Sequence, residues 1–188
     1  MIRYIAALMM SSAIAFSTPG MAQEAGPGSG FTGVRAEGLV GYDETLTYGG
    51  ALGFDFQSGR AVLGVEGEYL ESEDEECGPT VVPVGGQVCA FVGRDLYLGG
   101  RIGVAIAPNT LLYGKAGYTN IRIGAFLDGG TGGGNNLLFS EELDGVRVGA
   151  GVEQKLGRNA FIKGEYRYSN YEAGQRKHDG VVGIGFRF

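Results

Sequence analysis

The sequence predicts an all-β protein: an eight-stranded antiparallel transmembrane β-barrel. Three observations lead there. Apolar and polar residues alternate with a period of two over most of the chain, which is the spacing of strands. Of 188 residues, 37 are glycine, a load that disfavours helices, where each interior glycine costs about 1 kcal/mol relative to alanine. Tight turns alternate with longer connections, the pattern of an outer-membrane barrel with short turns on one side and loops on the other.

Residues 1–22 read as a cleaved secretory signal. Arg3 is the charged start, 5–16 is apolar, and Gly20 and Ala22 flank Met21 just before Gln23. That apolar run is too short to span a bilayer as a helix, which takes roughly 20 residues. The barrel domain is then 23–188. Nothing later in the chain is apolar and long enough for a membrane helix. An exported chain of this kind is either soluble outside the cytoplasm or a closed barrel in an outer membrane.

Eight segments alternate. In 31–42, Val34, Ala36, Val40 and Tyr42 oppose Arg35 and Glu37. In 48–56, Tyr48, Leu52, Phe54 and Phe56 oppose Gly49, Ala51, Gly53 and Asp55. In 61–71, Leu63, Val65 and Tyr69 oppose Gly64, Glu66 and Glu68. In 94–107, Leu96, Leu98, Ile102, Val104 and Ile106 oppose Asp95, Tyr97, Gly99, Arg101 and Gly103. Segment 110–126 sets Leu112, Ala116 and Tyr118 against Tyr113, Lys115 and Gly117. Segment 143–156 sets Val146, Val148, Ala150 and Val152 against Arg147, Gly149, Gly151 and Glu153. Segment 160–170 sets Ile162, Tyr166 and Tyr168 against Lys163, Glu165 and Arg167. Segment 179–188 sets Val182, Ile184, Phe186 and Phe188 against Gly183, Gly185 and Arg187. Each is long enough for a tilted bilayer strand of about 9–11 residues.

Alternation alone does not say which face meets lipid. Connections 57–60, 108–109 and 157–159 are tight, whereas 72–93, 127–142 and 170–177 are longer and 43–47 lies between. The polar faces are rich in glycine, which a solvated strand face gains nothing from but a narrow barrel interior uses as space. Tyrosines 42, 48, 69, 118 and 168 lie toward the long connections and phenylalanines 54, 56, 186 and 188 toward the tight turns, as two aromatic girdles do.

At these residues a resemblance becomes visible. AVLGVEGEY (61–69), RIG (101–103) with LYGKAGY (112–118), VGAGVE (148–153), KGEYRY (163–168) and VGIGFRF (182–188) together span most of the chain. The chain resembles the small outer-membrane barrels of the opacity-protein and OmpA-like kind, often labelled the porin family of Gram-negative bacteria. The resemblance implies residence in the outer membrane. It also implies a terminal signal, Val182, Ile184, Phe186 and Phe188, presented to the barrel-assembly machinery. The peptidoglycan-binding domain of full-length OmpA-type proteins is expected to be absent.

Charge decides among functions. The inward face holds Glu37, Asp55, Glu66, Glu68, Asp95, Glu153 and Glu165 against Arg35, Arg101, Lys115, Arg147, Lys155, Lys163, Arg167 and Arg187. That set sums to +1, and without Arg3 the chain 23–188 carries −7, so −8 is left for loops, turns and ends. An acidic rim disfavours nucleic acid and leaves lipopolysaccharide with divalent ions, other outer-membrane lipid, or an unidentified basic loop partner as neighbours. Counted upward from the tight turns, Arg35, Glu66, Glu68, Arg101, Lys115 and Glu165 reach similar heights. Unpaired buried charge is very costly, so they are expected to form a salt-bridge network that plugs the lumen. Glu153 and Lys163 flank one tight turn and are expected to pair across adjacent strands.

Catalysis and cofactors find little material. His178 is the only histidine, and its neighbours Lys177, Asp179 and Gly180 include no serine, so a Ser partner could come only from elsewhere in space and no enzyme is expected. The glycine run 129–134 lacks the Gly-Lys-Ser/Thr ending of a phosphate loop. The acidic run 71–76 does not match calcium-loop spacing, so neither cofactor nor metal is assigned. Cys77 and Cys89 share one long loop in an oxidising compartment, and one internal bridge is the expected pairing; the alternative is two free thiols. Three functions stay open: a structural and surface-interaction barrel acting through its loops, a small-solute channel, and a secreted soluble barrel that binds an apolar ligand.

Overall fold

The computed structural model describes residues 30–43, 45–72, 75–78, 87–128 and 136–188. The expected signal segment 1–22, the glycine run 129–134, and Glu73 and Asp74 of the acidic run lie outside the described residues. Among the described residues nine strands form in chain order: β1 (Gly33–Asp43), β2 (Thr45–Ser58), β3 (Ala61–Ser72), β4 (Glu75–Cys77), β5 (Gln87–Ala107), β6 (Thr110–Asp128), β7 (Asn136–Leu156), β8 (Ala160–Tyr171) and β9 (Arg176–Arg187). One 3-10 turn, Glu172–Gly174, joins β8 to β9.

Eight of these are staves of a closed ring. Each pairs antiparallel with its chain neighbour, β3 pairs directly with β5, and β9 returns to β1 with Arg187 opposite Arg35. Within the ring, closure gives each stave a partner on both sides, as lipid demands. The short β4 lies outside the ring, on β5 alone.

Burial is inverted relative to a soluble protein. Leu52 is 67% exposed, Leu98 68% and Ile102 64%, while Arg35 and Asp55 are fully buried. The apolar faces therefore point outward and the charged faces inward, the arrangement of a barrel solvated by lipid. Tight turns close the end near Phe188; Gly59 (φ 61°) and Gly157 (φ 93°) supply the left-handed conformation two of them need.

The staves outrun their predicted ends. β5 begins at Gln87, β6 continues to Asp128, and β7 begins at Asn136. Together with β4 they raise a four-stranded sheet above the ring on the side of the long connections. A register shift between Val92 and Asp95 explains the short reading: the extra residues break the period of two at that point. At the same end β1 and β2 are separated by residue 44 alone, and Thr47 pairs with Gly41.

Cys77 and Cys89 are direct cross-strand partners and are joined by a disulfide. They thus sit in strands β4 and β5, not in an irregular loop. Their sequence separation is 12, and closing a loop of that size contributes roughly 3 kcal/mol in the chain-entropy model. That energy falls on the raised sheet, because the ring closes without it. Reduction is expected to leave the thermal midpoint of the barrel unmoved while amide exchange at Val88 and Ala90 speeds up about a hundredfold. A drop in the midpoint, or unchanged exchange, would show the bond acting elsewhere.

Candidate functional site

The lumen is built from the inward row of each stave. Long side chains face glycines across the ladders: Arg35 opposite Gly53, Arg101 opposite Gly64, Lys115 opposite Gly149, Glu165 opposite Gly151. The glycines leave the volume those side chains occupy. A methyl group at Gly53 would lie 2.7 Å from Arg35 Nη2.

Eight carboxylates and seven cations are buried there among the described residues. Asp55 is the centre of the lower part. It accepts from Arg35 Nε at 3.1 Å, from Arg101 Nε at 2.8 Å and from Arg187 Nη1 at 2.6 Å. Glu153 joins the same two outer guanidiniums, with Arg101 at 3.0 Å and Arg187 at 2.6 Å. Arg35 also binds Glu37 and Glu66. Lys115 then links Glu66 (2.9 Å), Glu68 (2.7 Å) and Glu165 (2.7 Å), and Arg167 joins Glu68 (2.8 Å) to Glu165 (2.5 Å). Arg147 reaches Asp95 at 2.6 Å. Phenols extend the set: Tyr113 donates to Glu165 at 2.7 Å, and Lys115 sits 4.5 Å from the Tyr97 ring centroid.

Two pairings differ from the expectation. Glu153 and Lys163 are register partners, yet Lys163 faces Glu37 at 2.6 Å and Glu165 at 3.7 Å, while Glu153 turns to the arginines. In a narrow ring the stave two places away is as near as the neighbouring one, and two guanidiniums outcompete one ammonium for a carboxylate. Arg101 pairs with Asp55 and Glu153, not with Glu66. Lys155, placed inward from sequence, sits half-exposed at the rim, 5.5 Å from the Phe31 ring centroid. Asp179, which that inward set omitted, is buried.

Apolar layers were not foreseen. Phe31, Val62, Leu111 and Tyr113 cluster at the tight-turn end, fixed by Arg187 donating to the Phe31 carbonyl at 2.6 Å. Leu39, Ala51, Leu70 and Val181 line the wall formed by β9, β1, β2 and β3 higher up. The inward parity of Val62 and Leu111 carries this signal in the sequence.

The family described as outer membrane protein beta-barrel domain matches residues 5–188. The chain belongs to this family. It is 30% identical over 174 residues to the "22 kDa outer membrane protein" of Rhizobium leguminosarum bv. viciae, covering 85% of this chain and 75% of that one. Its fold is similar to that of Ail, the attachment invasion locus protein of Yersinia pestis, in a crystal structure with the heparin analogue sucrose octasulfate. The TM-score is 0.54 at 14% identity, over 82% of this chain and 95% of that one. It is similar also to the N-terminal β-barrel domain of Pseudomonas aeruginosa OprF, with a TM-score of 0.53 at 19% identity over 84% and 98%. At such identities the likeness is one of fold. This outer membrane barrel therefore resides in the outer membrane, and its exposed apolar belt faces lipid.

The remaining sequence candidates sit on the outer wall. Val182, Ile184, Phe186 and Phe188 are all exposed, facing lipid along the last stave of the family barrel. Tyrosines of the upper girdle find polar partners, as buried-and-wet aromatics do: Tyr69 donates to Glu71 at 2.6 Å and Tyr118 binds Asp144. His178 lies among them, 2.6 Å from the Tyr166 hydroxyl and with its ring 4.8 Å from that of Tyr168.

Proposed function

We propose that this barrel is a closed, non-catalytic outer-membrane protein that acts through its extracellular end. The ion-paired cross-section supports this most. Asp55, Glu66, Glu153 and Glu165 together bind six cations from five staves, and an eight-stranded interior is just wide enough for side chains. An ion crossing it has to displace a buried ion pair, and breaking one costs about 3–5 kcal/mol. The Phe31 cluster adds an apolar floor beneath.

The outer end supplies surface instead. Its described side chains include Asp43, Glu71, Glu76, Asp128, Glu141, Glu142, Asp144 and Glu172 against Arg94, Arg122, Arg176 and Lys177. That balance favours lipopolysaccharide bridged by divalent cations, or a basic macromolecule, over a polyanion of the kind Ail was crystallised with. His178 is engaged by two tyrosines on the outer wall, a setting for interfacial anchoring, and the barrel-assembly machinery remains the expected partner of the exposed terminal row. Reconstituted in a planar bilayer, the pure protein is expected to give no steady conductance steps. Steady large steps would overturn the closed lumen and make the protein a small-solute channel.

A further inference from the structure

Above the highest ion pair of the lumen, between Asp95 and Arg147, the barrel mouth opens into a cup of about 360 Å³. Its two walls differ in chemistry. One is apolar: Val92 and Ile123 are cross-strand partners on β5 and β6, and Ile121 and Leu143 are partners on β6 and β7. These residues stand where the raised sheet leaves the ring, so the apolar wall rises on that side only. The other wall carries Asp43 at the end of β1, Lys177 near the start of β9 with the more exposed Arg176 beside it at the rim, and Thr47 on the floor.

The charges of that wall set the cup apart from the lumen below. The buried guanidiniums and ammoniums beneath it each meet a carboxylate. Asp43 and Lys177 are half-buried and lie on adjacent staves. Neither has an ion-pair partner among the described residues, and they do not pair with each other. An acid and a base held apart beside an apolar wall match a molecule that brings both charges and an apolar body. The acidic outer end argues the same way, since it repels net anions and gives no such penalty to a neutral zwitterion.

We propose that the extracellular mouth is a binding site for a small apolar zwitterion, an apolar amino acid or short peptide. Its carboxylate meets Lys177, its ammonium meets Asp43, and its side chains lie against Ile121, Ile123, Val92 and Leu143. The volume falls in the range of small-molecule sites, about 300–1,000 Å³. This site stands whether or not the lumen conducts.

The apolar wall reports on itself. In lipid nanodiscs with methyl-labelled isoleucine, leucine and valine, dileucine is expected to shift the methyl signals of Ile121, Ile123, Leu143 and Val92 saturably. N-acetyl-dileucine and dileucine amide each lose one terminal charge, and each is expected to bind at least tenfold more weakly. In Lys177→Ala the disadvantage of the amide is expected to vanish; in Asp43→Asn that of the acetylated peptide. Both positions lie outside the lumen network, and the wild-type ligand series needs neither variant. Absence of saturable shifts overturns the site. Equal binding of the three peptides overturns the zwitterion and leaves a merely greasy mouth.

Discussion

Replacing Asp55 by alanine is expected to destabilise the barrel by about 3–5 kcal/mol, the range for breaking a buried ion pair from one side. The residue is fully buried and is the shared acceptor of Arg35, Arg101 and Arg187. Its removal leaves Glu153 as the sole carboxylate on both Arg101 and Arg187. The guanidiniums cannot shed their charge, and the side chains of Arg35 and Arg101 are wholly buried. The midpoint of urea unfolding, followed by the heat-dependent gel shift of folded barrel, reads the effect. Asp144→Ala is the control: that carboxylate is exposed at the tyrosine girdle, and exposed charges contribute about 0–1 kcal/mol. Glu66→Gln is expected to fall between the two, because Arg35 and Lys115 keep other partners. Equal midpoints for the Asp55 and Asp144 variants would mean that the network is solvated and that the lumen is wet.

The contrast between Asp55 and Glu66 shows what a sequence can and cannot carry. Which residues point inward was legible, because parity along a strand is a local property: Arg35, Glu66, Arg101 and Lys115 all fall on the predicted face. Who meets whom was not. Heights counted from the turns ignore the stagger between staves: they put Arg101 level with Glu66, whereas it reaches Asp55 and Glu153. Glu153 and Lys163 were matched because they are neighbours in the ladder, which they are, but curvature brings Arg187 and Arg101 to Glu153 first. The raised sheet is hidden by irregularities at Val92–Asp95 and Ala125–Phe126, the first of which shifts the alternation of β5 to the other parity. The mouth was hidden for a different reason: Asp43 and Lys177 come from the first and last staves, and only closure of the ring makes them neighbours.

The ring also depends on what is missing from it, and Gly117 is the sharpest case. Gly117 and Gly99 face each other across β6 and β5, both inward. A methyl group at 117 would lie 2.4 Å from the Leu98 carbonyl oxygen and 2.5 Å from the Gly99 Cα. Those atoms are backbone of the paired strand, so no side-chain rotation relieves the contact; the ladder itself has to open. On its other side Gly117 faces Arg147, whose guanidinium is fully buried and held by Asp95, so the strand cannot shift that way without parting an ion pair. Gly117→Ala is expected to cost about 3 kcal/mol, the upper part of the overpacking range, and Gly117→Leu to prevent closure, seen as loss of the heat-shifted band. The comparison that isolates packing is Gly38→Ala. Gly38 sits on the same kind of strand, but nothing lies within 4 Å of an added methyl group. There the smaller entropy of the unfolded chain is all that changes, and a gain of about 0.4–1 kcal/mol is expected. Refolding both variants in parallel into lipid, with urea midpoints as the readout, separates the two effects. Midpoints that move together would mean that strand propensity, not the close approach of β5 and β6, sets the need for glycine at 117.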